Sequence, residues 1–136
     1  MTTAEQLGEW EAAWAGSAEG AGFFKPSLLK DETIGVLAGY ESDRIVAGAI
    51  ANRSSTVIGL SNVFDVAGDL ESGWVAAAGI AAALWGEMTT VSYDSGDSLD
   101  AAHRGGFKSI GELVVWLNAH SSPEPVTRGV RVFCLL

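Results

Sequence analysis

The hydrophobic residues of this chain follow a helical spacing up to Lys30 and a strand spacing from Ile34 onward. Over residues 4–15, apolar side chains three or four positions apart would share one helix face: Leu7, Trp10, Ala13 and Trp14. The acids of this segment would lie largely on another face: Glu5, Glu9 and Glu11. We therefore predict an amphipathic first helix that packs on a sheet. A short second helix is predicted around Pro26, because proline is acceptable in a first helical turn.

Three β-rich segments follow, over residues 34–40, 44–52 and 56–64. The linkers between them are ESD and RSS, which are short enough for hairpin connections. Neighbouring strands joined in this way are antiparallel. Small and apolar residues occupy both faces of the second segment, which is typical of a strand that is covered on each side.

The chain is organised around the stretch that continues from the third strand. An acidic turn, Asp65 to Gly73, leads into an apolar segment, Trp74 to Trp85, which is long enough for three helical turns. A strand–helix–strand crossover returns parallel and right-handed, so residues 88–93 are predicted to form a parallel strand.

The remaining residues contain one more predicted helix and two more predicted strands. Ser98 is the expected N-cap of a helix over residues 99–104, which Gly105 and Gly106 would end. Strands are expected at 110–117 and within 126–136. The pattern predicts an α/β (α+β) fold with a mixed sheet flanked by helices, in one domain spanning residues 1–136.

The charge of the chain is strongly negative, with a formal net charge of −9 and a pI near 4.5. Neutralising phosphates requires a basic patch, so the composition argues against nucleic acid as a partner. No Lys or Arg occurs between Arg53 and Arg104, and seven acids fall in that interval: Asp65, Asp69, Glu71, Glu87, Asp94, Asp97 and Asp100. Acidic residues thus occupy the predicted loops in the middle of the chain.

Cys134 is the single cysteine and the histidines are His103 and His120, so the sequence predicts neither an internal disulfide nor a metal site. The first ten residues lack the basic start and apolar core of a secretory signal. The most apolar run, between Glu71 and Glu87, is shorter than the roughly 20 residues that a bilayer span needs. We therefore expect a cytoplasmic protein with no membrane segment.

The order of these elements resembles that of the GNAT superfamily of N-acetyltransferases. The closest local similarity is AAHRGGFKSIGELVVWL, residues 101–117, which resembles that family's short fourth helix ending in a Gly-Phe pair and running into the next strand. The resemblance implies a GNAT-like mixed central sheet with the family's first strand missing, because the chain begins at the first helix. It also implies that the junction from Asn62 to Ala76 occupies the acyl-coenzyme A position.

The loop at that junction departs from the family's pyrophosphate loop. Residues 67–73 read AGDLESG, with acids where the family has a base. A carboxylate about 4 Å from a phosphate would cost on the order of 4 kcal/mol at an effective dielectric of about 20. The dipole of a helix N-terminus, worth about 0.3–1 kcal/mol, would not offset this cost. Asp69 is instead expected to cap the helix.

A second departure concerns the tyrosine that many members use as general acid. Counting back from Gly106 and Phe107, its position falls on Ala102. The neighbouring His103 is a candidate for proton transfer, but a histidine on a short surface helix is usually solvated.

If acyl-transfer chemistry is retained, other residues would have to support it. The end of the third strand, Asn62, Val63 and Phe64, would supply backbone donors to the coenzyme where strands splay apart. Tyr93 and Asp94, at the carboxyl end of the next strand, would act on protons in the same cleft. The alternative interpretation makes Tyr93 a core-edge residue and Asp94 a solvated loop acid.

Three functions are consistent with the sequence. The first is a divergent GNAT-like protein with a degenerate cofactor loop that binds a small molecule or a protein partner. The second is an active acetyl-CoA-dependent N-acyltransferase on a small amine, with the coenzyme held by strand backbone and by Lys25 or Lys30. The third is one half of an assembly such as a homodimer, in which a partner chain covers the sheet edge left by the missing strand.

Overall fold

The computed structural model describes residues 1–17, 22–115 and 128–135, which form a mixed sheet with helices on both faces. The helices are α1 (Ala4–Ala15), a 3₁₀ helix (Pro26–Lys30), α2 (Leu70–Trp85) and α3 (Gly96–Arg104). The strands are β1 (Ile34–Glu41), β2 (Arg44–Arg53), β3 (Val57–Asp65), β4 (Thr89–Asp94), β5 (Lys108–Val115) and β6 (Arg128–Leu135).

The sheet order is β1-β2-β3-β4-β6-β5. The predicted meander is confirmed, because β1 to β3 pair antiparallel in sequence order. The predicted crossover is also confirmed, since β4 pairs parallel to β3 after α2. β6 pairs antiparallel with both β4 and β5, so it lies between them.

One face of the sheet is covered by α1. This helix begins with a capping box between Thr3 and Gln6. Trp10 is fully buried, and its Nε1 donates a 2.7 Å hydrogen bond to the main-chain oxygen of Leu37. Its ring meets Phe64 edge to face, with centroids 5.2 Å apart. The prediction that α1 packs on the sheet is confirmed.

Glu11 does not lie on the solvent side of α1 as predicted. It is 3% exposed, and its carboxylate accepts from the amides of Gly22 (2.7 Å) and Phe24 (2.5 Å). A buried carboxylate needs such donors, and here they come from the chain that returns beside α1. Helical spacing alone does not reveal donors that arrive from a distant loop.

The opposite face is covered by α2 and α3. Consecutive residues of a strand point to opposite faces, and Leu37 packs with α2 while its neighbour Val36 packs with the α1 side. Trp74 of α2 and Phe107, which follows α3, are both buried with ring centroids 5.3 Å apart. Ala102 on α3 is fully buried in the same core.

Several predicted boundaries differ from the structure. α2 begins at Leu70, four residues before Trp74, because Asp69 is its N-cap. The Ser98 N-cap is wrong: Ser95 holds that position, and the Ser98 hydroxyl donates 2.6 Å to Asp94 Oδ2. The predicted strand at 110–117 begins at Lys108, and its last two residues lie outside the described part of the chain, as does His120.

Within the described ranges, no helix combines the length and the apolar character needed to cross a bilayer.

Replacing Gly48 by alanine tests the contact between α1 and the sheet. An added Cβ would overlap Trp10 Nε1 and lie 2.6 Å from Phe64 Cε1 and 2.9 Å from the main-chain oxygen of Leu37. These atoms belong to packed rings and backbone, so Gly48→Ala should lower the free energy of unfolding by about 3 kcal/mol in urea denaturation.

Gly8→Ala is the matched control, because no atom lies within 4 Å of the added Cβ in α1. It should raise the free energy of unfolding by about 0.5–1 kcal/mol, since glycine inside a helix is less stable than alanine. Equal effects of the two substitutions would contradict the close approach at Gly48.

Candidate functional site

The pairing of β3 with β4 stops before their carboxyl ends, and we call the region between the unpaired ends the β3–β4 cleft. The two strands pair only from Val57 with Thr89 to Leu60 with Ser92, and beyond this point they run on to Asp65 and Asp94 without pairing to each other. The buried Ser92 hydroxyl donates 2.7 Å to the main-chain oxygen of Leu60 at the base of this β3–β4 cleft. Ligands of α/β sheets commonly bind at such carboxyl ends.

A β-bulge shapes the β3 side of the cleft. The pairing of β2 with β3 shifts between Gly48 and Ile50, and Asn62 opposite them has a φ of 53°. Asparagine adopts this left-handed conformation more easily than branched residues. The bulge reverses the alternation of side chains between the two sheet faces. Val63 therefore packs in the core on the α2 side, and Phe64 packs in the core on the α1 side. Bulges are frequent next to active sites, but sequence periodicity did not predict this one.

The five predicted site residues belong to β3 and β4, beyond the point where the pairing of these strands ends. Asn62, Val63 and Phe64 belong to the β3 wall, and Phe64 is buried, so its side chain serves the core. Tyr93 and Asp94 end the β4 wall. Tyr93 is 58% exposed, whereas Asp94 accepts from the amide of Ser95 (2.8 Å) and the hydroxyl of Ser98 (2.6 Å).

The hydrogen bonds of Asp94 fix the start of α3 against the end of β4. Asp94 was predicted in a loop, but it is the last residue of β4 and has two local donors. Tyr93 has a phenol group able to donate or accept a proton at the mouth of the cleft.

In the turn between β3 and α2, Asp65 and Asp69 accept hydrogen bonds from nearby main-chain amides. Asp65 accepts from the amides of Gly68 (main-chain oxygen, 3.1 Å) and Asp69 (Oδ1, 3.1 Å). Asp69 accepts from the amides of Ser72 (Oδ1, 3.2 Å) and Gly73 (main-chain oxygen, 3.1 Å). The predicted capping role of Asp69 is confirmed. Two of these bonds, from the amides of Asp69 and Ser72 to carboxylate oxygens, occupy donors that an anion would otherwise find at the turn and the start of α2.

The side-chain and main-chain hydrogen bonds from Ser72 hold the pKa of Asp69 below its ordinary value, because they stabilise the charged carboxylate. Glu71 adds a further negative charge, and Arg104 of α3 approaches it with Nε 3.1 Å from Oε2. This exposed pair associates Arg104 with Glu71. No local sequence pattern indicates this pair, because its two residues are 33 positions apart.

Other residues considered from the sequence lie elsewhere. Ala102 is fully buried, so the position of the family's tyrosine belongs to the core. The exposed His103 has its Nε2 2.8 Å from the hydroxyl of Ser109 at the start of β5. Lys25 and Lys30 flank or end the 3₁₀ helix, which contacts α1 and the edge strand β1, whereas the cleft lies between β3 and β4.

No group of three or more His, Cys, Asp or Glu suited to a metal ion occurs among the described residues.

Comparison with known proteins relates the fold to solved structures. No protein-family model matches the sequence, and no curated protein matches it. The structure is similar to an acyl-CoA N-acyltransferase from Pseudomonas aeruginosa, with a TM-score of 0.66 and 12% identity over 100% of this chain and 93% of that one. It is also similar to ElaA from Escherichia coli, with a TM-score of 0.53 and 12% identity over 73% of this chain.

The chain spans 65% of the length of ElaA, slightly less than two thirds. At 12% identity these similarities concern the fold. The predicted architecture is confirmed: this chain has a GNAT-like fold, with a mixed sheet flanked by helices.

The cap at Asp69 predicts a pH dependence of stability. A pKa lowered in the folded state gives stabilisation that is complete above the unfolded value of 3.8 and is lost as the pH falls through the folded value. The melting temperature of the wild type should therefore exceed that of Asp69→Ala by a constant amount near neutral pH. This difference should shrink below pH 3.8.

Asp69→Asn is the control for this experiment, because it keeps an acceptor oxygen for Ser72 and does not titrate. Its melting temperature relative to Asp69→Ala should change little over the same acid range. A wild-type advantage that persists undiminished in acid would contradict the assigned cap.

Proposed function

We propose that this protein binds a small neutral or cationic molecule in the β3–β4 cleft and no longer binds acyl-CoA in the way usual for the GNAT fold. The observation that supports this proposal is the turn between β3 and α2. There Asp65 and Asp69 accept hydrogen bonds from the turn's own amides at the position that the resemblance assigns to a pyrophosphate. The carboxylates of Asp65 and Asp69 therefore occupy amide donors that a bound pyrophosphate would need.

Both charge and geometry disfavour a diphosphate at this turn. One carboxylate about 4 Å from a phosphate costs on the order of 4 kcal/mol at an effective dielectric of about 20, which is roughly a thousandfold in affinity. Asp65 and Asp69 would both repel a phosphate bound at the turn. The Asp69 cap would also have to break before the amide of Ser72 could bind phosphate.

The same charges favour a different ligand. Asp65 ends β3, Asp69 lies in the turn after it, and Asp94 ends β4, so carboxylates lie at the ends of both strands. The exposed ring of Tyr93 adds an aromatic surface on the β4 wall. An amine-bearing molecule would gain from the negative field and from cation–π contact with that ring.

The second candidate function is an acyl-CoA-dependent N-acyltransferase acting on a small amine. Two observations favour it: the parallel strands β3 and β4 are not paired with each other beyond Leu60 and Ser92, and the bulge at Asn62 reshapes the main chain of β3. The amine would attack the thioester carbonyl, Asp94 would take the amine proton, and Tyr93 would give a proton to the leaving thiolate. Main-chain donors of residues 62–64 would hold the coenzyme arm.

Titration calorimetry with acetyl-CoA distinguishes the two functions. Under the first, heats should show no saturation at millimolar ligand, because the turn repels the phosphates. A dissociation constant in the low micromolar range would refute it and favour the transferase. Loss of product formation in Tyr93→Phe, with binding retained, would then support the proton role of Tyr93.

Changing the turn provides a second test. Asp65→Asn together with Asp69→Asn removes two charges and keeps acceptor oxygens, so acetyl-CoA affinity should rise by at least about tenfold. Asp65→Asn combined with Asp69→Gly also releases the amide of Ser72, so this variant should bind acetyl-CoA more tightly still.

The matched control is Glu9→Gln with Glu32→Gln, which removes two exposed acids on α1 and ahead of β1. It should leave acetyl-CoA binding as weak as in the wild type. Equal gains in both double variants would mean that net charge, and not the turn, limits binding.

A further inference from the structure

A cluster of aromatic side chains lies beside the end of α1 and is open to water on one side. Phe23 is 72% exposed, and its ring contacts two neighbours, with centroids 5.0 Å from Phe24 and 6.0 Å from Trp14. Phe24 also meets Trp14 edge to face, with centroids 5.5 Å apart. An exposed ring that is fixed between two others is a surface suited to binding a further ring.

A buried carboxylate holds the main chain on both sides of Phe23. Glu11, which lies in the core, accepts from the amides of Gly22 (2.7 Å) and Phe24 (2.5 Å). Gly22 has a φ of 109°, a conformation that favours glycine, and it turns the chain at this point. Because both flanking residues are fixed, the Phe23 ring loses less conformational freedom when a ligand contacts it.

A cavity of about 470 Å³ opens next to this ring, and we call it the Phe23 cavity. Its lining is mostly apolar but includes one cation and one anion: Phe23, Phe24, Leu28, Ile34, Lys25 and Asp31. Sites for small molecules commonly have this volume and this composition, in which a few polar groups orient an otherwise apolar ligand.

Both charged groups of the Phe23 cavity are available to a ligand. Lys25 forms no ion pair with any residue that the structure describes. Asp31 accepts from the hydroxyl (2.6 Å) and the amide (2.9 Å) of Thr33, both through Oδ1, so its second oxygen can accept from a ligand. The bonds from Thr33 hold the pKa of Asp31 below its ordinary value, because they stabilise the carboxylate.

We propose that the Phe23 cavity binds an aromatic amino acid, with its ring against Phe23, its carboxylate at Lys25 and its ammonium group at Asp31. A zwitterion satisfies both charges of the lining. An anion would also be repelled by Asp31, and a cation would also be repelled by Lys25. The net charge of −9 further disfavours an anion at a site with a single cation.

The Phe23 cavity is separate from the β3–β4 cleft. Its residues belong to the segment after α1, to the 3₁₀ helix and to the start of β1. β1 is an edge strand, and β2 lies between it and β3. The inference therefore does not rest on the ligand proposed for the cleft.

The exposure of the charged residues predicts a weak affinity. An ion pair at an exposed position changes affinity by no more than about fivefold, and an aromatic contact by up to about tenfold. We therefore expect a dissociation constant in the millimolar range for L-phenylalanine, the simplest ligand of this class.

Nuclear magnetic resonance titration of the isotope-labelled full chain with L-phenylalanine tests the proposal. Amide shifts of residues 22–25 should saturate, whereas those of residues 62–64 and 93–94 in the cleft should stay unchanged. Two probes each lack one charge: phenethylamine has no carboxylate, and hydrocinnamate has no ammonium group. Each should bind at least about threefold more weakly than L-phenylalanine.

Neighbouring residues outside the cavity provide matched controls. Lys25→Gln should weaken L-phenylalanine binding at least about threefold, whereas Lys30→Gln, at the other end of the 3₁₀ helix, should not. Asp31→Asn should weaken it to the same extent, whereas Glu32→Gln should not. In Lys25→Gln, L-phenylalanine should also lose its advantage over phenethylamine, which a general loss of structure would not produce.

Circular dichroism melts establish that each variant is folded before titration. Absence of saturation by L-phenylalanine at tens of millimolar would overturn the proposal. Binding of phenethylamine or hydrocinnamate as tightly as L-phenylalanine would also overturn it, as would equal losses in Lys25→Gln and Lys30→Gln.

Discussion

The end of pairing between β3 and β4 is the constraint on which the rest of the structure depends. Two parallel strands that stay hydrogen-bonded along their whole length leave no space between them, whereas these part after Leu60 and Ser92. Ser92 satisfies the main-chain oxygen of Leu60 at that point. The bulge at Asn62 then directs Val63 to one core and Phe64 to the other, so the separated strand remains anchored on both sides.

The acidic turn beside this cleft combines a stabilising role with a selective one. Asp65 and Asp69 satisfy the amides of the turn and so stabilise the start of α2. The same bonds place two negative charges at the position that the resemblance assigns to a pyrophosphate. Under the proposed function, the residues that stabilise the start of α2 would therefore also disfavour the coenzyme.

Periodicity predicted most of the architecture because the core is built from regular elements. The first helix, the meander and the parallel crossover follow from spacing and short linkers, and they agree with the structure. The features that were missed depend on particular hydrogen-bond or strand partners, which hydrophobic periodicity does not reveal. Glu11 is buried because Gly22 and Phe24 donate to it, and Ser98 does not cap α3 because Asp94 accepts its hydroxyl. The Asn62 bulge likewise depends on how β2 pairs.

The apolar character of α2 has a consequence for the nascent chain. A helix with hydrophobic residues all round has no polar face, so this segment is prone to aggregation until β3 and β4 have formed beneath it. Glu71 and Glu87 stand on either side of that segment, in the manner of gatekeeper residues that discourage aggregation. The surplus of acids elsewhere in the chain keeps unfinished molecules apart by mutual repulsion during synthesis.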